Sequence, residues 1–125
     1  MPTRLIMIIT TAYLALIGLI LSFLPGEFLV YFDQPANTFT VTAFQVIGAL
    51  YLGFAMLNWM VKSSRIGGIY NRPVVIANLM HFGVVSIALI KLIVGGLANP
   101  AVIALAVVYA LFAIGFGYLL RTSPV

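Results

Sequence analysis

Four long apolar runs dominate the chain, separated by short stretches where polar residues, glycines and prolines collect. A bilayer core of about 30 Å takes about 20 residues of helix at a rise of about 1.5 Å per residue. The runs therefore predict spanning helices over residues 5–24, 40–61, 73–95 and 100–120. Local chemistry marks their ends. Pro25-Gly26 stops the first, Pro73 opens the third at a position where proline is favoured, and Gly95-Gly96 suits its end. Asn99-Pro100 supplies a capping side chain followed by a first-turn proline for the fourth. Arg4 ahead of an apolar run also has the outline of a secretory leader. The run is long, however, and ends in Phe23-Leu24-Pro25-Gly26 without a small-residue cleavage pattern, so it reads as a retained first span.

Composition places this pattern in lipid. Of 125 residues, 64% are hydrophobic and 6% charged, and the mean hydropathy is +1.23. So few charges cannot cover the surface of a water-soluble globule. The expectation is one all-α, polytopic membrane domain over residues 1–125, a four-helix bundle whose partners are the bilayer and either other membrane subunits or further copies of itself. The absence of cysteine removes disulfides, thiolate nucleophiles and thiolate metal sites. A net charge of +4 comes from six scattered Lys and Arg, with no aromatic-interleaved basic stripe for nucleic acid.

Those charges instead orient the chain. Arg4, Lys62, Arg65, Arg72 and Arg121 fall on one side of the four spans, which the positive-inside rule makes cytoplasmic, with both termini there. Glu27 and Asp33 lie in the outer connection, joined by Lys91 near the outer end of the third span. The aromatic run Phe28 to Phe32 within that connection predicts a short segment along the outer surface. The loop from Lys62 to Arg72, with Ser63-Ser64 and Gly67-Gly68, reads as a basic turn flanked at headgroup depth by Trp59 and Tyr70, and more loosely by Tyr109 and Tyr118.

Helices in lipid associate through close contact between small side chains. Thr11, Ala15, Gly18 and Ser22 line one face of the first span, and Ala106, Ala110, Ala113 and Gly117 repeat that spacing on the fourth. Direct packing of the two stripes would close a bundle. Phe44, Gly48, Tyr51, Ala55 and Asn58 form a comparable line on the second.

Polar groups inside a span are costly, so each is a candidate for function. Asn78 and His81 share a face of the third span, and Asn58 lies at a similar depth on the second; the three are expected to form a polar cluster near the cytoplasmic side. Two uses are open. The amides and a neutral imidazole can act as interhelical glue, or the cluster can hold a haem, quinone or lipid, or line a small-molecule or ion pathway in an oligomer. A lone His cannot complete a zinc site, and a second haem imidazole would have to come from another copy. Lys91 is expected to reach outward to the headgroups, with Glu27 or Asp33 as ion-pair partners, and Gln45 to lie near the same surface. No acidic residue sits inside a span, and no triad, phosphate-binding loop or dinucleotide fingerprint occurs.

The layout, with Phe23-Leu24-Pro25-Gly26-Glu27-Phe28 after the first span and Gly48-Ala49-Leu50-Tyr51-Leu52-Gly53 inside the second, resembles the DoxX-like superfamily of small four-helix membrane proteins. Where those proteins often carry a charged residue in the second helix, this chain has Phe44-Gln45. The resemblance implies a four-helix fold in a bacterial inner membrane. The function expected is that of a non-catalytic accessory or assembly subunit, or a homo-oligomer.

Overall fold

The first helix, α1 (Pro2–Phe23), is followed by a short α2 (Pro25–Tyr31) and by α3 (Thr38–Val61), α4 (Arg72–Val94) and α5 (Pro100–Arg121) in a computed structural model that describes residues 2–97 and 99–122. Among the described residues there is no strand. Four helices are long and apolar enough to cross a bilayer, and they make this a multi-pass, all-helical membrane protein. The boundaries follow backbone chemistry. α3 starts two residues before the expected position because Asn37 caps it: the Thr40 amide donates to Asn37 Oδ1 at 2.9 Å while the Asn37 amide donates to Thr40 Oγ1 at 3.0 Å. Such a reciprocal cap satisfies two donors that the first turn otherwise strands, and is worth about 1 kcal/mol. Asn99 caps α5 as its sequence foretold, accepting from the Ala101 amide at 2.8 Å.

The chain divides into two compact units, one over Arg4–Ser63 and one made of the described chain from Ser64 onward together with Pro2 and Thr3. In the first, α1 and α3 approach at glycines. A Cβ on Gly18 would sit 2.9 Å from Leu52 Cγ and 3.1 Å from the Gly48 carbonyl oxygen, and one on Gly48 would sit 2.5 Å from Ser22 Oγ. Only residues without a Cβ permit backbones this close. Gly18 and Ser22 of the predicted stripe thus close on α3. The deeply buried line of α1 is Met7, Thr10, Leu14, Gly18 and Leu21, with Thr11, Ala15 and Ser22 half-buried on its flank. On α3 the expected line holds, with Gly48, Ala55 and Asn58 buried and Phe44 and Tyr51 half-buried.

The short segment expected in the connection after α1 takes the form of a helix. Pro25 opens α2, Glu27 sits in its first turn where the helix dipole favours an anion, and Asp33 ends it in a left-handed conformation at φ 57°. The Gln34 amide donates to the Leu29 carbonyl and that of Asp33 to the Val30 carbonyl, a Schellman closure with aspartate in place of the usual glycine. Phe28 ties α2 to α3 through Phe44, ring centroids 5.7 Å apart.

In the second unit α4 and α5 pack side by side as an antiparallel pair, joined by a turn in which Gly96, at φ +113°, closes α4 with the same Schellman bonds from Gly96 and Leu97. Phe82, fully buried, is the centre of this unit. Its ring stacks on Phe116 at 5.7 Å and meets Phe112 edge-on at 5.1 Å and Tyr109 at 5.3 Å. Of the stripe expected on this helix, Ala106 is buried, Ala110, Ala113 and Gly117 are half-buried, and Gly117 faces Leu79 of α4. Tyr109 corrects an expectation. Expected at the headgroups, it lies mid-helix and is 2% exposed, because it falls on the buried line of Val102, Ala106 and Phe116 and meets Phe82.

Candidate functional site

The second unit brings the one histidine into an aromatic setting. Val75, Asn78, Phe82 and Ser86 recur every third or fourth residue and form the buried face of α4, and His81 flanks it half-buried. The imidazole lies edge-on to Phe82 at 4.9 Å and 5.8 Å from the Tyr109 ring across the helix pair. Helical spacing does most of this: a residue next to Phe82 and three beyond Asn78 must lie on the edge of the same face.

Asn78 is fully buried and its side-chain amide donates to the Val74 carbonyl at 2.9 Å. Ser86 does likewise, its hydroxyl donating to the Phe82 carbonyl at 2.6 Å. Both bonds return a polar side chain to its own helix, the cheapest way to keep it in a span.

Asn58 resides in the first unit, where it finds a partner that the sequence reading did not single out. Its side-chain amide donates to Thr10 Oγ1 at 3.2 Å, and both residues are fully buried. The Thr10 hydroxyl has one proton, shared between the Ile6 and Met7 carbonyls at 2.8 and 3.1 Å, which leaves its lone pairs to accept from Asn58. Thr11 donates to the Met7 carbonyl at 2.7 Å. A signal existed: Thr10-Thr11 is a polar pair in an otherwise apolar helix, at a depth near that of Asn58.

Glu27, Asp33 and Lys91, the residues expected at the outer surface, are all exposed. Glu27 borders a shallow open groove with Gly26, Val30, Tyr31 and Ala36, and Asp33 follows α2. Lys91 occupies the last turn of α4 in the other unit, where the helix dipole favours a cation.

The loop before α4 is more than a turn. Gly67 and Tyr70 exchange backbone hydrogen bonds at 3.2 and 2.9 Å, and the Gly68 amide donates to the Leu119 carbonyl at 3.0 Å. That carbonyl belongs to the last turn of α5, where helix acceptors lack intrahelical donors. The Asn71 side chain donates to the Arg65 carbonyl, from a left-handed backbone at φ 52°. Arg65 lies over the Tyr70 ring at 5.4 Å, and, in the first unit, Lys62 lies over Trp59 at 3.7 Å.

Compared with known proteins, the chain matches no family model, no curated protein and no solved structure.

Proposed function

We propose that this chain is a non-catalytic membrane subunit, an accessory or assembly component of a larger complex or a homo-oligomer, set in a bacterial inner membrane with its basic loop and both ends toward the cytoplasm. The two faces of α3 carry the reading. One small-residue face, at Gly48, is closed against Gly18 and Ser22; the other, at Ala49 and Gly53, is exposed, and a Cβ on Gly53 would meet nothing within 4 Å. Gln45, exposed on the same helix, has an amide that gains from a hydrogen-bonding partner once it is surrounded by lipid. α3 also buries the smallest share of the four spans, 11% against 22–28%. The polar groups Thr10, Thr11, Asn78 and Ser86 are meanwhile tied to helix carbonyls, which suits a scaffold better than a reaction centre. The DoxX-like layout fits this reading.

The test is gentle extraction from the native membrane, followed by the mass of the intact particle. The expected result is a discrete assembly larger than one chain that falls apart when Ala49 and Gly53 are both changed to Leu, with helicity retained. A wild-type particle of a single chain would overturn the proposal.

One observation favours a second reading: His81 lies against Tyr109 and Phe82, a setting suited to a flat apolar ring such as a haem or quinone. The visible spectrum of the same particle tests for haem, and an organic-solvent extract of it tests for quinone. A visible band or an extractable quinone lost in His81→Phe supports a bound ring, and a colourless, quinone-free particle that His81→Phe leaves intact supports the scaffold.

A further inference from the structure

We propose that the loop between Ser64 and Asn71, together with the end of α5, is a binding site for the headgroup of an anionic phospholipid, with Arg65, Arg72 and Arg121 facing its phosphate. The backbone brings these residues to one end of the α4–α5 pair. Asn71 holds the Arg65 carbonyl through its side chain and is followed directly by Arg72. Gly68 holds the Leu119 carbonyl, two residues before Arg121, and Gly67 packs so tightly on the same turn that a Cβ there would lie 2.8 Å from Leu119 O and 2.9 Å from Thr122 O. Ile66, 1% exposed, anchors the loop from beneath.

All three arginines are exposed. The two acidic side chains, Glu27 and Asp33, belong to the other unit, so these arginines have no acidic side chain in their own. The Arg65 guanidinium lies 5.4 Å from the Tyr70 ring centroid, a cation–π contact that leaves its N–H groups for an oxyanion, and arginine binds phosphate through paired bonds.

The rest of the loop selects a ligand with a tail. Ile69, 73% exposed, and Tyr70, 42% exposed, sit at the tip of a segment that joins a spanning helix, where an apolar side chain and a phenol rest at the boundary of headgroups and acyl chains. A phosphate carrying acyl chains satisfies both the arginines and this tip; a free phosphate satisfies only the first.

The experiment is native mass spectrometry of the detergent-purified protein titrated with phosphatidylglycerol or phosphatidylcholine. Phosphatidylglycerol should be retained as a discrete adduct in preference to phosphatidylcholine. Each of Arg65→Gln, Arg72→Gln and Arg121→Gln should weaken retention about fivefold, the effect of one basic residue at an anionic surface. Lys91→Gln, at the opposite end of α4, should leave it unchanged. Gly67→Ala, which dislodges the loop without removing a charge, should weaken retention as well. Equal retention of the two lipids, or an equal loss in Lys91→Gln, would overturn the site, as would displacement of the lipid by an equal concentration of inorganic phosphate.

Discussion

Gly48 of α3 lies against Ser22 of α1 so closely that a Cβ at position 48 would stand 2.8 Å from the Ser22 amide nitrogen as well as 2.5 Å from its hydroxyl. The nearer atom belongs to a side chain that can rotate away, but the amide is backbone, and α1 would have to retreat. Gly48→Ala is therefore expected to cost about 1–3 kcal/mol, the usual penalty for overpacking. In the single, dissociated chain, Gly53→Ala on the uncovered face of the same helix should be neutral or stabilising by up to about 1 kcal/mol, since alanine is the better helix former. Unfolding of the two variants in mixed micelles gives the comparison, and equal effects would remove Gly48 as the point where these helices close.

The hydrogen bond from Asn58 to Thr10 joins two fully buried side chains 48 residues apart in the chain. Measured bonds of this kind in membrane proteins average about 0.6 kcal/mol, because an unfolded chain in lipid also finds partners for its polar groups. A double-mutant cycle of Asn58→Leu and Thr10→Val is expected to return a coupling near that value, with Thr10→Val alone the milder change because it preserves shape. Strict additivity would show that Asn58 is held by other groups.

Two glycines separate backbone strain from crowding. Gly67 and Gly96 adopt nearly the same left-handed φ, +117° and +113°, but a Cβ at 96 would meet nothing while one at 67 would strike α5. Gly96→Ala should cost about 1–2 kcal/mol, the penalty for an L residue in that region. Gly67→Ala should cost more and should free the loop from α5, which amide hydrogen exchange at Gly68 would register as lost protection. Equal costs and an unchanged exchange rate at Gly68 would mean that the loop does not depend on this contact.

The spanning helices and most of their ends were legible in the sequence because the signals are local. A 20-residue apolar run has few alternatives in lipid, and Pro25, Pro100 and Gly96 act on their immediate neighbours. The capping box of Asn37 and Thr40 was legible too, as Asn followed three residues later by a hydroxyl, although the expected start at Thr40 passed over it. Of the candidate polar residues, Asn78 and His81 stand on the expected shared face, because a three-residue separation fixes that on any helix.

What the sequence by itself determined about this protein is its solvent, its all-helical class, the number of long helices and the residues each helix turns to one side. These follow from the cost of unsatisfied backbone in lipid and from the 3.6-residue repeat. Only the tertiary structure decided which face meets which. It put Gly18 and Ser22 against Gly48, gave Thr10 to Asn58, drew Tyr109 inward to Phe82 and laid Gly68 on the end of α5. In a chain where nearly every surface is apolar, hydropathy cannot rank one face above another. The choice falls to how closely particular backbones can approach and where a few polar atoms find partners, and both depend on residues far apart in the chain.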